Sequence, residues 1–160
     1  MAMSVGLEIT ETGLEAALSL VQGLENAPKQ ELAEGIGRLV QEQTRSRIEE
    51  EKRSPQGVAW KPNITRTSIL YRSGALSRSI DYVASPASVM IGSALVYARI
   101  HQLGETIRPN TAKALAFMIG NMMRLVQSVT IPARPYLGLS SANQTEIVDA
   151  AEDWLKRLVQ

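Results

Sequence analysis

Residues Pro28 to Arg53 constrain the fold more than any other stretch of this chain. Leu32, Ile36, Leu39, Val40 and Ile48 recur at the spacing that lines up one face of a helix, and a stripe of that kind faces a core. Pro28 suits the first turn, where its missing N–H is not needed. Ser54-Pro55 stops the helix. Two features break the pattern. Gly35 and Gly37 each cost about 1 kcal/mol relative to Ala in a helix interior, which points to another backbone approaching there or to a local kink. Gln43 and Arg47 interrupt the stripe, and the turns from Arg45 to Arg53 are almost wholly charged. That end is expected to project into solvent or to meet a partner.

The flanking segments are shorter. Val5, Leu7 and Ile9 alternate with small or polar neighbours as a half-buried strand does. Thr12 and Glu15 form a capping box for a helix over Leu14, Leu18 and Val21 that ends near Leu24. Pro55 to Trp60 is a turn that delivers one tryptophan. Lys61 to Arg72 is polar and without period, so it is expected to be a loop that buries too little apolar area to offset its chain entropy. Ser79 to Ala84 and Val89 to Ile91 read as hairpin partners around Ser85-Pro86-Ala87-Ser88.

Leu95 to Leu103 reads as a short helix ended by Gly104, where a left-handed residue is wanted. Lys113 to Ile119 and Met122 to Ile131 read as two strands joined by Gly120-Asn121. Pro132 and Pro135 bracket an extended corner. Asn143, with Glu146 at the reciprocal position, is expected to cap a final helix whose apolar stripe is Ile147, Ala151, Trp154, Leu155 and Leu158.

At 160 residues the chain is expected to be one domain over 1–160, with 1–27 as an N-terminal strand and helix arm. The absence of cysteine excludes a disulfide framework and thiolate metal sites. The longest apolar run, Ala114 to Ile119, is far short of the ~20 residues of a membrane span, and no secretory signal is visible, so no membrane partner is expected. Charge is segregated. Met1 to Ala27 holds four acidic and no basic residues, Trp60 to Ser140 holds nine Lys/Arg against Asp81 and Glu105, and the last twenty residues sum to −2. The basic middle leaves loose, non-specific contact with a nucleic-acid backbone open, but it matches no sequence-reading motif.

Catalytic and metal chemistry finds little support. His101, the only histidine, is four residues from Glu105, a spacing that metal sites use, but no second histidine or cysteine completes a ligand set. No nucleophile motif accompanies it. The structural reading is therefore preferred: His101 as a satisfied imidazole at a turn, and no catalytic, cofactor or metal residue. Arg134, between two prolines, has a stiff local backbone. Its guanidinium suits either an intramolecular anchor or a carboxylate or phosphate contact with a neighbour.

Five ordered segments resemble one family, the phage virion morphogenesis proteins of Mu-like tailed phages and prophages. They are Pro55 to Trp60, Leu70 to Ile80, Ile91-Gly92-Ser93, Tyr97 to Gly104, and Ile131 to Gly138. The larger group includes tail-completion and neck proteins of long-tailed phages. Glu105 departs from the pattern, where another glycine is expected. The resemblance implies an α+β subunit, a long N-terminal helix packed on a small antiparallel sheet, to which the C-terminal amphipathic helix is added. It implies no catalytic residue, and a homo-oligomeric ring at the head–tail junction of the virion, built in the host cytoplasm with other neck and tail proteins. A tail terminator capping the tail tube is the nearest alternative, and a basic nucleic-acid-binding module the alternative of another class. The residues expected to carry structure or interface are Trp60, Gly74, Leu76, Tyr97, His101, Gln102, Gly104, Arg134, Pro135 and Tyr136.

Overall fold

A computed structural model describes residues 5–7 and 27–158. The expected helix after Thr12 and the position of Ile9 lie outside the described residues. Strand β1 is Val5–Leu7. Helix α1 runs Lys29–Ser46 and continues as a π-helical turn over Arg47–Glu51. Then come α2 (Ala75–Ser79), β2 (Ile80–Ser85), β3 (Ser88–Ser93), α3 (Ala98–Leu103), β4 (Glu105–Ile107), β5 (Leu115–Ile119), β6 (Met122–Val126), β7 (Val129–Ile131) and α4 (Ser141–Leu158).

The arrangement is α+β. Helix α1 lies against the three-stranded antiparallel sheet β1–β3–β2 and is backed by α4. Its stripe of Leu32, Ile36 and Val40 meets Ile80, Val89 and Ile91 from the inner face of the sheet, while Ile147, Ala151 and Trp154 of α4 complete the core. Burying these aliphatic and aromatic side chains contributes about 1.5–3 kcal/mol for each large one. Gly37 is buried beneath the ring of Tyr82, which occupies the space a Cβ would need, whereas Gly35 meets nothing. The approaching group is thus a side chain and not a backbone.

The end of α1 differs from its expectation. Glu49, Glu50 and Glu51 are exposed, but Arg47 and Ile48 are fully buried. Position 47 is seven residues after Val40 and stays on the stripe. The π-turn widens the helix there, and Lys52 closes it in a left-handed conformation, its N–H on the Arg47 carbonyl. The helix stops before Ser54-Pro55. Downstream, Ala75–Ser79 forms a helical turn not foreseen ahead of β2.

The foreseen hairpin pairs Val83 with Met90 across the Pro86-Ala87 turn. The expected second strand, Met122 to Ile131, is two: β6 pairs with β5, and after a break at Gln127-Ser128, β7 pairs with β4. Glu105, at the place where a glycine was expected, opens β4 without a positive φ. Together β4 to β7 make a two-stranded β-arm over residues 105–131.

Candidate functional site

The residues singled out by the sequence converge on the irregular segment 132–140, between β7 and α4. Two prolines deprive it of N–H donors, so it cannot join a sheet ladder, and yet Arg134, Tyr136, Leu137 and Leu139 are buried. Buried peptide groups need partners. Here three side chains from distant parts of the chain, Gln102, Trp60 and Arg47, supply several of them.

Gln102, on α3, accepts from the N–H groups of Tyr136 and Leu137 at 3.0 Å each and donates back to the Leu137 carbonyl at 3.4 Å. Trp60 donates its indole N–H to the Pro135 carbonyl at 3.0 Å. Arg47 donates through Nη1 to the carbonyls of Tyr136 and Gly138, both at 2.9 Å, and through Nη2 to Oδ1 of Asn143. The Tyr136 hydroxyl, fully buried, donates to the Ala98 carbonyl at 3.0 Å. Burial raises the Tyr136 pKa and lowers that of Arg47, the latter opposed by the field of Glu51.

Arg134 is the reverse anchor. Its N–H donates to the His101 carbonyl at 2.8 Å, and its guanidinium reaches the carbonyls of Lys61 and Pro62 at 2.9 and 3.3 Å. It ties the following loop down and meets no carboxylate among the described residues, so the intramolecular of the two alternatives is the one adopted. Gly104 has φ 71° and lies so close to the corner that a Cβ would stand 2.6 Å from the Ala133 nitrogen. Only glycine fits there.

His101 departs from its expected role. Its backbone carbonyl serves the corner, but Nδ1 is buried without a partner among the described residues, and the ring stands edge-on to Tyr97 with centroids 5.8 Å apart. Burial, then the Arg134 charge, lowers its pKa. Tyr97 itself is largely exposed, whereas Trp60, Leu76, Arg134 and Tyr136 are buried and Pro135 is half-buried. Gly74 (φ 73°) precedes α2. Tyr97, His101, Arg134, Arg72 and Gly74 share a cleft of about 450 Å³ with the polar loop 63–73. That loop is organised by Asn63, whose amide donates to Thr67 and to the Ser68 carbonyl.

Two participants went unrecognised in the sequence. Arg47 read as a break in an apolar stripe, although a lone charge kept on such a stripe is itself the signal of a buried hydrogen-bonding role. The cap of α4 is Ser140, not Asn143. Ser140 and Asn143 exchange main-chain N–H to side-chain oxygen bonds at 3.1 Å, while Glu146 accepts from Gln43 on α1. Asn143 is thereby free to receive Arg47. No group of three His, Cys, Asp or Glu residues able to hold a metal occurs among the described residues, and no helix there is long and apolar enough to cross a membrane.

Comparison with known proteins agrees with this architecture-first picture. The model of the phage virion morphogenesis family matches residues 9–156. A putative capsid assembly protein G of Escherichia phage Mu is 35% identical over 99 residues, which cover 61% of this chain and 54% of the relative. The chain thus spans about half the length of that curated relative. No solved structure matches it.

Proposed function

The chain belongs to the phage virion morphogenesis family, and from that premise we propose that it is a structural subunit of the head–tail junction, assembling into a homo-oligomeric ring that joins or completes the tail. The observation that carries this reading is where the motif side chains end. Arg47, Trp60, Gln102, Arg134 and Tyr136 all terminate on groups of their own chain. They build a rigid body and leave its outer surfaces to do the work. The relative from phage Mu, named for capsid assembly, fits a role in particle construction.

The charge distribution supports a ring of heterologous contacts. Exposed basic residues, among them Lys61, Arg66, Arg72, Arg78, Arg99, Arg108, Lys113 and Arg124, lie in the loops, the short helices α2 and α3 and the β-arm, while Glu146, Asp149, Glu152 and Asp153 are exposed and acidic on α4. Opposite faces of this kind steer neighbours into register more than they hold them together. The same basic surface suits an inner wall facing DNA.

Gel filtration with light scattering, with and without DNA, tests the reading. A discrete oligomer that forms without DNA, more slowly as salt rises from ~0.05 to ~0.5 M, is expected. A monomer that binds DNA with strong salt dependence would replace it with a basic nucleic-acid-binding module.

A further inference from the structure

The hairpin β5–β6 packs chiefly on itself. Strand alternation puts Ala116, Met118, Met123 and Leu125 on one face and Leu115, Phe117, Ile119, Met122 and Val126 on the other, with Arg124 the one charge in either strand. A surface hairpin ordinarily turns one polar face to water. This one has an apolar residue at nearly every position, and Met118, Met123 and Leu125 are 59, 67 and 68% exposed. Together they present on the order of 350 Å² of apolar surface, within the ~300–600 Å² range of the largest patch on a typical monomer. A lone two-stranded hairpin is also marginal in water.

The chain carries a matching surface. On the face of the β1–β3–β2 sheet turned away from α1, Val83 and Met90 are cross-strand partners, 64 and 42% exposed. Beside them Gly6 pairs with Gly92, so no side chain rises from either strand and a shallow trough is left. Pairing along the edge of β2 is blocked. The carbonyls of Ile80 and Ala84 are taken by Gln41, Arg45 and Gln30, and the Tyr82 N–H by the Asp81 carboxylate. Among the described residues the face itself is open.

We propose that the β5–β6 hairpin docks through Met118, Met123 and Leu125 on the Val83–Met90 face of a second copy of this chain. The occupant is chosen by charge and by area. The arm carries Arg108, Lys113 and Arg124 against Glu105, and the receiving face has Asp81 as its one charge. A single such contact falls short of the ~800 Å² per partner typical of a stable complex. Donor and acceptor are different surfaces, however, so each subunit gives one arm and receives another, and the series is satisfied when it closes on itself. The inference rests on the self-assembling role proposed above and names the contact that would perform it.

The test uses the absence of cysteine from the chain. A full-length Val83→Cys, Leu125→Cys double variant, oxidised after assembly, should give a covalent ladder extending to the full ring, whereas Leu125→Cys alone should give nothing beyond dimers. A Met123→Lys, Leu125→Lys variant should need at least tenfold more protein to assemble, with its circular dichroism and melting temperature unchanged. Rings that form normally from the lysine variant, with no ladder beyond dimers from the cysteine pair, overturn the inference while leaving self-assembly intact, and give the arm to another virion protein. A wild-type chain that stays monomeric overturns both.

Discussion

In the corner from Arg134 to Ser140, charged and amide side chains turn inward and end on main-chain groups, whereas in the arm from Glu105 to Ile131 methionine and leucine turn outward and are exposed, with nothing over them among the described residues. Each inverts the usual rule of apolar inside and polar outside. In the corner the inversion is forced by the backbone, because a buried segment with two prolines cannot satisfy its own peptide groups. In the arm no internal demand explains it, and the cost of exposed apolar surface is removed only by another surface. The corner is therefore about folding, and the arm about what the folded subunit meets.

This contrast predicts that substitutions in the corner cost stability and those in the arm do not. The largest effect is expected at Arg47. Arg47→Ala leaves the Tyr136 and Gly138 carbonyls without their donor, leaves Asn143 Oδ1 with the Ser140 N–H alone and opens a cavity, so urea unfolding should show a loss of about 3–5 kcal/mol. Arg47→Met should recover only part of it, since volume returns without hydrogen bonds. A loss below ~1 kcal/mol would mean that water replaces the guanidinium and that the corner is less closed than described. Gly104→Ala comes next. Its Cβ would press on the Ala133 backbone at a positive φ, and about 2–3 kcal/mol should be lost by the same measurement.

A smaller effect sharpens the comparison at the border between the two regions. Because burial and Arg134 hold the His101 pKa below its ordinary value near 6.5, the unfolded chain binds this proton more readily than the folded one. Stability from this group is complete above about pH 6.5 and is lost as the pH falls from there through the folded value. His101→Phe should flatten that part of the stability profile. The smallest expected effect is in the arm. Leu125→Ser, at an exposed site, should change unfolding stability by less than ~0.5 kcal/mol. A large loss would show that the arm supports its own fold and would erase the distinction.

How much of this was legible beforehand differed by region. The long helix, the Val83–Met90 hairpin, Gly104 and the C-terminal stripe follow from local periodicity and turn chemistry, and the structure has them. The splitting of Met122–Ile131 was not legible, since β7 is defined by its pairing with Glu105–Ile107, some twenty residues away in sequence. Nor was the cap of the last helix, because Ser140 and Asn143 both have capping chemistry. In the structure Asn143 answers the Ser140 cap and also receives Arg47, a residue nearly a hundred positions earlier. Three of the five motif segments, through Trp60, Gln102 and Arg134, meet at one proline corner, and that meeting needed coordinates.

By itself the sequence determined the class of fold, through an apolar stripe that a helix must bury and alternating runs that strands must pair, and it determined the family through five short segments in order. These are properties of neighbours along the chain, where spacing translates directly into a face. Only the tertiary structure decided that Arg47 is interior, that Arg134 anchors a loop and meets no carboxylate among the described residues, and that the face of the β5–β6 hairpin bearing Met118, Met123 and Leu125 is left exposed. A charged or apolar side chain carries no record of its surroundings until distant segments are brought against it, and its burial depends on which of them arrive.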